Sequence, residues 1–350
     1  MKAWEIGPRE NGGGGIESLR QVERPDLVAG PGEIIVKVTA AGLNYRDLMV
    51  LRGQYGTDLP DTRIPLTDGV GVIEAVGDEV EGLTVGDRVI AQNFLDWLDE
   101  HGFGFHIFAR DIGVTVDGWL AEKIVLPAQA AIQVPDSVSD STAATLAVVG
   151  GTVWHAMVAF GAAGRKDLRG KLVLAQGTGG VSVFALQLAK ALGAEFAITS
   201  SSDEKLAKAR EMGADYTVNY RTSEDWVVAL LEQTGGRGAD VVVDTIGFGE
   251  FGKTVAATAV EGRIGTLGAL SGSPQDAPDF DQGSLIGKNI TIKGIASGHN
   301  GMLANALEAV AEHGIEMLLD REFAFDDTKA AYEHLDSGAH MGKVMIRVAG

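Results

Sequence analysis

The sequence predicts an α/β fold in two parts, a compact antiparallel β-barrel followed by a doubly wound parallel sheet. Three observations predict it. Short β-branched runs separated by turn residues fill the first third of the chain. From Leu172 onward, strand-like and helix-like segments alternate, the grammar of right-handed βαβ units. Between the first strand and first helix of that second part lies a glycine-rich turn, Gly177–Ser182.

In the first part, Ile34–Val38, Val70–Val76, Arg88–Ala91 and Leu120–Leu126 read as strands. GPGE (Gly30–Glu33), VGDEV (Val76–Val80) and VGDR (Val85–Arg88) supply turns between them. The tract NGGGG (Asn11–Gly15) reads as a mobile turn without functional content. Asn93–Gly118 is an irregular stretch long enough to need a purpose of its own, and it carries Trp97, His101, Phe103, Phe105, His106 and Phe108.

In the second part, Lys171–Gln176 is a strand, and Val181–Leu192 is a helix with Val181, Phe184, Leu188 and Leu192 at helical spacing. Strand Glu195–Thr199, helix Asp203–Met212 with Asp203 as N-cap, strand Tyr216–Asn219 and helix Glu224–Gln233 follow. Ala239–Asp244, Arg263–Leu267 and Asn289–Ile295 are further strands. The chain then reads as helix Met302–His313, strand Arg321–Phe325, helix Asp327–Leu335 and strand Lys343–Val348.

Composition narrows the function. A length of 350 residues suits two domains at roughly 150 residues each. With 29 Lys+Arg against 48 Asp+Glu, the formal charge of −19 argues against nucleic acid and against an anionic membrane surface. No apolar run approaches the ~18 residues a membrane span needs. The first ten residues, MKAWEIGPRE, place charges where a signal peptide would be apolar, so a cytoplasmic protein is expected. The absence of cysteine excludes disulfides, thiol nucleophiles, iron–sulfur clusters and Cys-ligated zinc. The expected partner is a small-molecule substrate.

Gly177-Thr178-Gly179-Gly180-Val181-Ser182 stands between a strand and a helix, where absent side chains let backbone N–H groups approach a pyrophosphate. Ser182 takes the place of the third glycine. At the end of the next strand, an NAD-binding chain usually places a carboxylate for the ribose 2′-hydroxyl. This chain has Thr199-Ser200-Ser201-Ser202 there, with Lys205 just beyond. Hydroxyls and an ammonium accept a 2′-phosphate that a carboxylate would repel, so NADP(H) is the expected cofactor. Ser202 and Asp203 can equally be read as helix caps, and Lys205 as solvated surface.

These features sit among longer stretches that resemble the medium-chain dehydrogenase/reductase superfamily, in its zinc-independent, quinone oxidoreductase-like branch. They include AAGLNYRD (Ala40–Asp47), LTDGVGVIEAVG (Leu66–Gly77), VGDRV (Val85–Val89), GWLAEKIVLP (Gly118–Pro127), QGTGGVSVFALQLAKALGA (Gln176–Ala194), GADYTVNY (Gly213–Tyr220) and GKVMIRV (Gly342–Val348). The resemblance implies a chaperonin-10-like (GroES-like) catalytic domain over residues 1–151, completed by 296–350, and a Rossmann domain over 152–295. It implies that Ser200, Lys205 and Tyr220 surround the 2′-phosphate, that backbone near Thr245, Gly268 and Ala296 lines the cofactor, and that Thr152 faces the nicotinamide. It also implies a homodimer joined through the edge strand Asn289–Ile295.

The departures from zinc-dependent members matter. Asn44 replaces the catalytic cysteine, and Thr67-Asp68 replaces His-Glu. The third ligand region, Ala147–Gly151, and the structural lobe, Asn93–Gly118, have no cysteine. Neither zinc is expected. His101 and His106, near Asp96, Asp99 and Glu100, offer an alternative nitrogen and oxygen set, but without regular ligand spacing.

Without zinc, a site must rely on hydrogen-bond donors, which suits reduction of a quinone, an enone or another activated carbonyl compound. By the resemblance, Asn44, Tyr45, Tyr55, Thr67 and Asp68 gather where zinc would have been, with Asp47 orienting them. Structural readings stand beside them: Asp47 as the partner of a barrel arginine, Asp68 as a turn acceptor, the tyrosines as wall packing and His155 as helix packing. A zinc-free alcohol or aldehyde dehydrogenase and a catalytically idle NADPH-binding sensor are the alternative functions.

Overall fold

The computed structural model describes residues 1–7, 14–56, 59–268 and 282–348; most of the NGGGG tract, residues 11–13, lies outside them. The chain forms two compact units, one of residues 1–151 with 299–350 and one of residues 152–298.

In the first unit, β1 (Lys2–Ile6) pairs antiparallel with β2 (Leu19–Glu23). The spine is β3 (Glu33–Leu43), longer than the Ile34–Val38 run because it has partners along its whole length. α1 (Tyr45–Leu51) leaves it directly. β4 (Asp68–Val76) pairs along one side of β3, and β5 (Arg88–Ala91) follows β4 in the sheet. β6 (Lys123–Pro127) pairs with the first half of β3, and β7 (Ala131–Gln133) pairs with β5. β6 begins three residues later than the sequence pattern implies. Trp119 and Leu120 instead donate backbone bonds to Leu66 and Pro65, out of the strand ladder. α2 (Asp140–Ala143) and α3 (Ala147–Val153) close this stretch.

The first residues of β4 show why a glycine stands inside a strand there. Trp119 is fully buried over Gly69, where a Cβ would lie 2.4 Å from the indole ring. A side chain there would displace the largest group in the barrel core.

The second unit is a six-stranded sheet of β8 (Leu172–Gln176), β9 (Glu195–Ser200), β10 (Tyr216–Asn219), β11 (Ala239–Asp244), β12 (Thr258–Thr266) and β13 (Thr291–Gly294). All pairs are parallel, and the spatial order is β10-β9-β8-β11-β12-β13. That is the doubly wound order, in which the neighbours of β8 lie in opposite directions. Its helices are α4 (Gly180–Ala191), α5 (Asp203–Glu211), α6 (Trp226–Gln233), α7 (Phe251–Ala257) and α8 (Gln282–Gly287).

Three local expectations shift. Ser202, not Asp203, caps α5: its backbone is extended and its hydroxyl accepts from the Lys205 N–H. Asp225 caps α6 by accepting from Val227 and Val228, so that helix starts at Trp226 rather than Glu224. β12 starts at Thr258, five residues before the apolar run is visible in sequence. The helix carrying His155 winds as a π-helix over Trp154–Gly161.

The chain then returns to the first unit as α9 (Asn300–His313), β14 (Leu319–Ala324), α10 (Thr328–Asp336) and β15 (Lys343–Arg347). β15 pairs antiparallel with the second half of β3 and parallel with β14. Among the described residues, no helix is long and apolar enough to cross a membrane.

Candidate catalytic cluster and cofactor cradle

In the first unit, the end of β3, the start of β4 and the start of β15 come together, because β3 pairs with both of the others. Asn44 follows β3 and caps α1 with its backbone extended, forming a capping box with Asp47. Its backbone N–H donates to Asp47 Oδ2 at 2.7 Å, and its amide Nδ2 donates to Asp68 Oδ2 at 2.9 Å. Thr67 Oγ1 lies 3.3 Å from Asp47 Oδ1 and 3.2 Å from the Ile112 carbonyl. Asp68 Oδ1 accepts the Val148 N–H at 2.8 Å.

The sequence reading missed Lys343, the first residue of β15. Its ammonium is buried and donates to Asn44 Oδ1 at 2.6 Å and to Asp68 Oδ2 at 3.1 Å. The signal was present in the GKVMIRV ending: a lysine opening an apolar strand must find an acceptor once that strand is buried.

Asp47 does not pair with a barrel arginine. Burial pushes its carboxyl up to about 6, although neighbouring Arg46 and the Asn44 N–H favour the charged form. Arg46 instead turns to Asp111 in a buried ion pair. Burial works against the guanidinium charge, but Asp111, Tyr55 and Asp47 outweigh it and raise Arg46 above its ordinary value. The same guanidinium lies 4.6 Å from the Tyr55 ring centre and 5.8 Å from that of Phe94. Burial raises the Tyr55 phenol above its usual range despite the nearby cation. The Tyr55 hydroxyl has no hydrogen-bond partner among the described residues.

Asn44, Thr67 and Asp68 therefore share one hydrogen-bonded cluster, with Tyr55 in the adjoining Arg46–Asp111 group. Tyr45 opens α1 with its side chain 44 % exposed and joins neither. The cluster does not suit zinc, which takes thiolate, imidazole or free carboxylate ligands. Asn44 Oδ1 and Asp68 Oδ2 are already held by an ammonium, and Asp68 Oδ1 by the Val148 N–H. Among the described residues, no group of three His, Asp or Glu is arranged to hold a metal ion.

In the second unit, the glycine turn follows β8. Gly177 has φ +74°, and the space where a Cβ would stand at Gly177 and at Gly179 is empty for 4 Å. Gly179 caps α4 without a side-chain bond, so the first-turn N–H groups keep their donor capacity for a ligand. Ser182 is buried and donates to the Gln176 carbonyl, binding helix to strand where a third glycine would give close packing. Thr178 is buried, and Gly180 and Val181 form the first turn of α4. These residues fit a dinucleotide pyrophosphate.

Ser200 ends β9, and its carbonyl accepts the Tyr220 N–H just past β10, so the two residues are neighbours. The Ser200 hydroxyl accepts from the Ser202 N–H, which turns the chain into α5; Ser201 lies within that turn. Lys205 is half-buried in the first turn of α5, and Tyr220 is 44 % exposed. On the other side of β8, the Thr245 hydroxyl donates to the Gln176 carbonyl at 2.5 Å. Asp244 accepts from Ile246, Gly247 and Thr266, which fixes this loop, and its carbonyl accepts from Leu267 and Gly268. At Gly268 a Cβ would lie 2.0 Å from the Thr245 carbonyl. Ala296 follows β13 and is exposed, and Thr152 is buried in α3. His155 is buried, and its Nδ1 is 2.6 Å from the Ser297 carbonyl.

The chain matches two family models, an alcohol dehydrogenase GroES-like domain over residues 30–136 and a zinc-binding dehydrogenase domain over residues 180–312. A zinc-type alcohol dehydrogenase-like protein of Schizosaccharomyces pombe is 37 % identical over 320 residues, 91 % of each chain. The crystal structure of an NAD-dependent alcohol dehydrogenase superimposes with a TM-score of 0.87 at 30 % identity, covering 100 % of both chains. A mycobacterial protein complexed with NADPH superimposes with a TM-score of 0.79 at 26 % identity, over 99 % of this chain and 100 % of that one.

Proposed function

The chain belongs to the medium-chain dehydrogenase/reductase superfamily of oxidoreductases that use a nicotinamide dinucleotide, and from that premise we propose a zinc-independent, NADPH-dependent reductase of a quinone, an enone or another activated carbonyl compound. The observation that supports this reading is the Asn44–Asp68–Lys343 cluster, in which Asn44, which by resemblance stands for the catalytic cysteine of the zinc enzymes, is hydrogen-bonded to a buried carboxylate and a buried ammonium. Bound NADPH supplies the hydride.

The remaining work falls to this chain's residues. Gly177, Thr178, Gly179, Gly180 and Val181 cradle the pyrophosphate. Ser200, Ser201, Lys205 and Tyr220 take the 2′-phosphate, and no carboxylate ends β9 to repel it. Thr152, Thr245, Gly268 and Ala296 line the rest of the cofactor. Asn44 Nδ2 and the Tyr55 hydroxyl donate to the substrate oxygen as negative charge develops on it. Tyr55 or water returns a proton. Thr67, Asp47 and Asp68 hold the donors in place, and Tyr45 lines the approach from solvent.

The test is NADPH consumption against a panel of quinones, enones and saturated aldehydes. Turnover of quinones or enones supports the reading. Turnover of saturated aldehydes alone would favour a zinc-free alcohol or aldehyde dehydrogenase, and NADPH binding without turnover across the panel would favour a sensor.

A further inference from the structure

An asparagine amide has an oxygen with two acceptor lone pairs at one end and an NH₂ group with two donors at the other, and nothing in its shape fixes which end faces which way. At Asn44 the neighbours decide. Lys343 carries only donors and lies 2.6 Å from Oδ1. Asp68, as a carboxylate, carries only acceptors and lies 2.9 Å from Nδ2. Turning the amide over would set its NH₂ group against an ammonium and its oxygen against a carboxylate, in a site where all three residues are buried. Asp68 is held in turn by the Val148 N–H and by Lys343 itself, so the ring of bonds is closed.

One Nδ2 hydrogen is spent on Asp68. The second has no protein partner among the described residues. Lys343 also draws electron density toward Oδ1, which strengthens that remaining N–H as a donor.

We propose that Lys343 is a positioning residue that holds the Asn44 amide with Oδ1 on the ammonium and one Nδ2 hydrogen to spare, so that the group it offers a substrate is an N–H donor for an oxygen acceptor, a carbonyl or quinone oxygen. This rests on the reading of Asn44 as a substrate contact, but the clamp itself can be tested without any substrate.

The first measurement is the side-chain amide spectrum of protein labelled with ¹⁵N-asparagine. The Asn44 pair is assigned by its loss in Asn44→Asp. In the parent it should show two resolved hydrogens at separate shifts, one of them held by Asp68. In Lys343→Met the pair should broaden or exchange rapidly, and in Lys343→Arg it should persist. An unchanged pair in Lys343→Met would overturn the clamp.

The second measurement is kinetic. Lys343→Met leaves Asp68 buried and unpaired, so a paired variant, Asp68→Asn with Lys343→Met, removes both charges and guards against unfolding. In the folded paired variant, kcat for the best carbonyl substrate should fall about 10- to 100-fold, less than the loss of a whole oxyanion donor, while the Kd for NADPH stays within about twofold. Lys343→Arg should recover most of the rate. A folded paired variant with kcat within twofold of the parent would overturn the proposal. If the parent reduces no carbonyl compound, the functional reading fails, and the amide spectrum alone decides the clamp.

Discussion

The guanidinium of Arg46 stacks on the ring of Tyr55, 4.6 Å from its centre, while the same group is ion-paired to Asp111. The tyrosine is thus gripped by its face, and its hydroxyl is left without a protein partner among the described residues. Removing that hydroxyl keeps the stack. Tyr55→Phe should therefore leave the melting temperature and the Kd for NADPH nearly unchanged and lower kcat by about 3- to 30-fold, a modest loss because water can substitute for one donor. Steady-state kinetics decide it, and an unchanged kcat would move the donor role elsewhere.

The pH dependence of stability should carry the mark of Asp47. Burial lifts its carboxyl to about 6 from an ordinary 3.8. A carboxyl raised in the fold favours the folded state fully below its unfolded value, and that contribution is lost as pH rises through 6. Asp47→Asn does not titrate. Between pH 4.5 and pH 7.5, its stability relative to the parent should improve by about 2 kcal/mol, since each factor of ten in a protonation equilibrium is worth ~1.4 kcal/mol. Urea unfolding at several pH values tests this, and parallel curves would refute it.

The proposed cofactor preference should respond to a change at one position. Ser200 is buried at the end of β9 and accepts the Ser202 N–H, a bond an aspartate can keep. Ser200→Asp should weaken NADPH binding by about 10- to 100-fold through repulsion of the 2′-phosphate and spare NADH. Titration calorimetry with both cofactors is the check. Equal affinity of the parent for both would remove the basis for the assignment.

Metal analysis offers a direct test. Purified protein should carry no stoichiometric zinc, and a chelator should leave turnover intact. One tightly held zinc per chain would contradict the arrangement around Asn44 and Asp68.

The edge of the second unit gives a prediction about assembly. β13 is the last strand of its sheet, and Thr291, Lys293 and Gly294 on it are exposed. An unpaired edge is ready to add another strand, and a two-fold pairing of β13 with its copy would satisfy both. Light scattering should give twice the 36.6 kDa chain mass. A Thr291→Pro change at that edge should shift it toward the single chain.

Much of this was legible in the sequence. The second unit was legible because its central strands β8, β9 and β11 carry buried apolar runs and its glycine turn is local. The caps and starts that shifted depend on one or two hydrogen bonds, as at Ser202 and Asp225, which periodicity does not register. The candidate cluster was half legible. Asn44, Thr67 and Asp68 stand in short motifs, whereas Lys343 joins them only through the pairing of β15 with β3, and Arg46 turns away from Asp47 only because Asp111 is within its reach. Long-range partners of this kind are set by topology, and composition carries no trace of them.

The ion pair between Asp68 and Lys343 also has a history in time. The two residues are 275 positions apart. At a synthesis rate of about 5–20 residues per second, Asp68 is added to the chain roughly 14 to 55 seconds before its counter-ion exists. Through that interval the carboxylate lacks its ammonium partner, and residues 152–298 are made and free to fold in the meantime. The barrel is begun first and finished last. A ribosome stalled before codon 343 would therefore hold a nascent chain whose parallel sheet resists protease while its barrel is still cut.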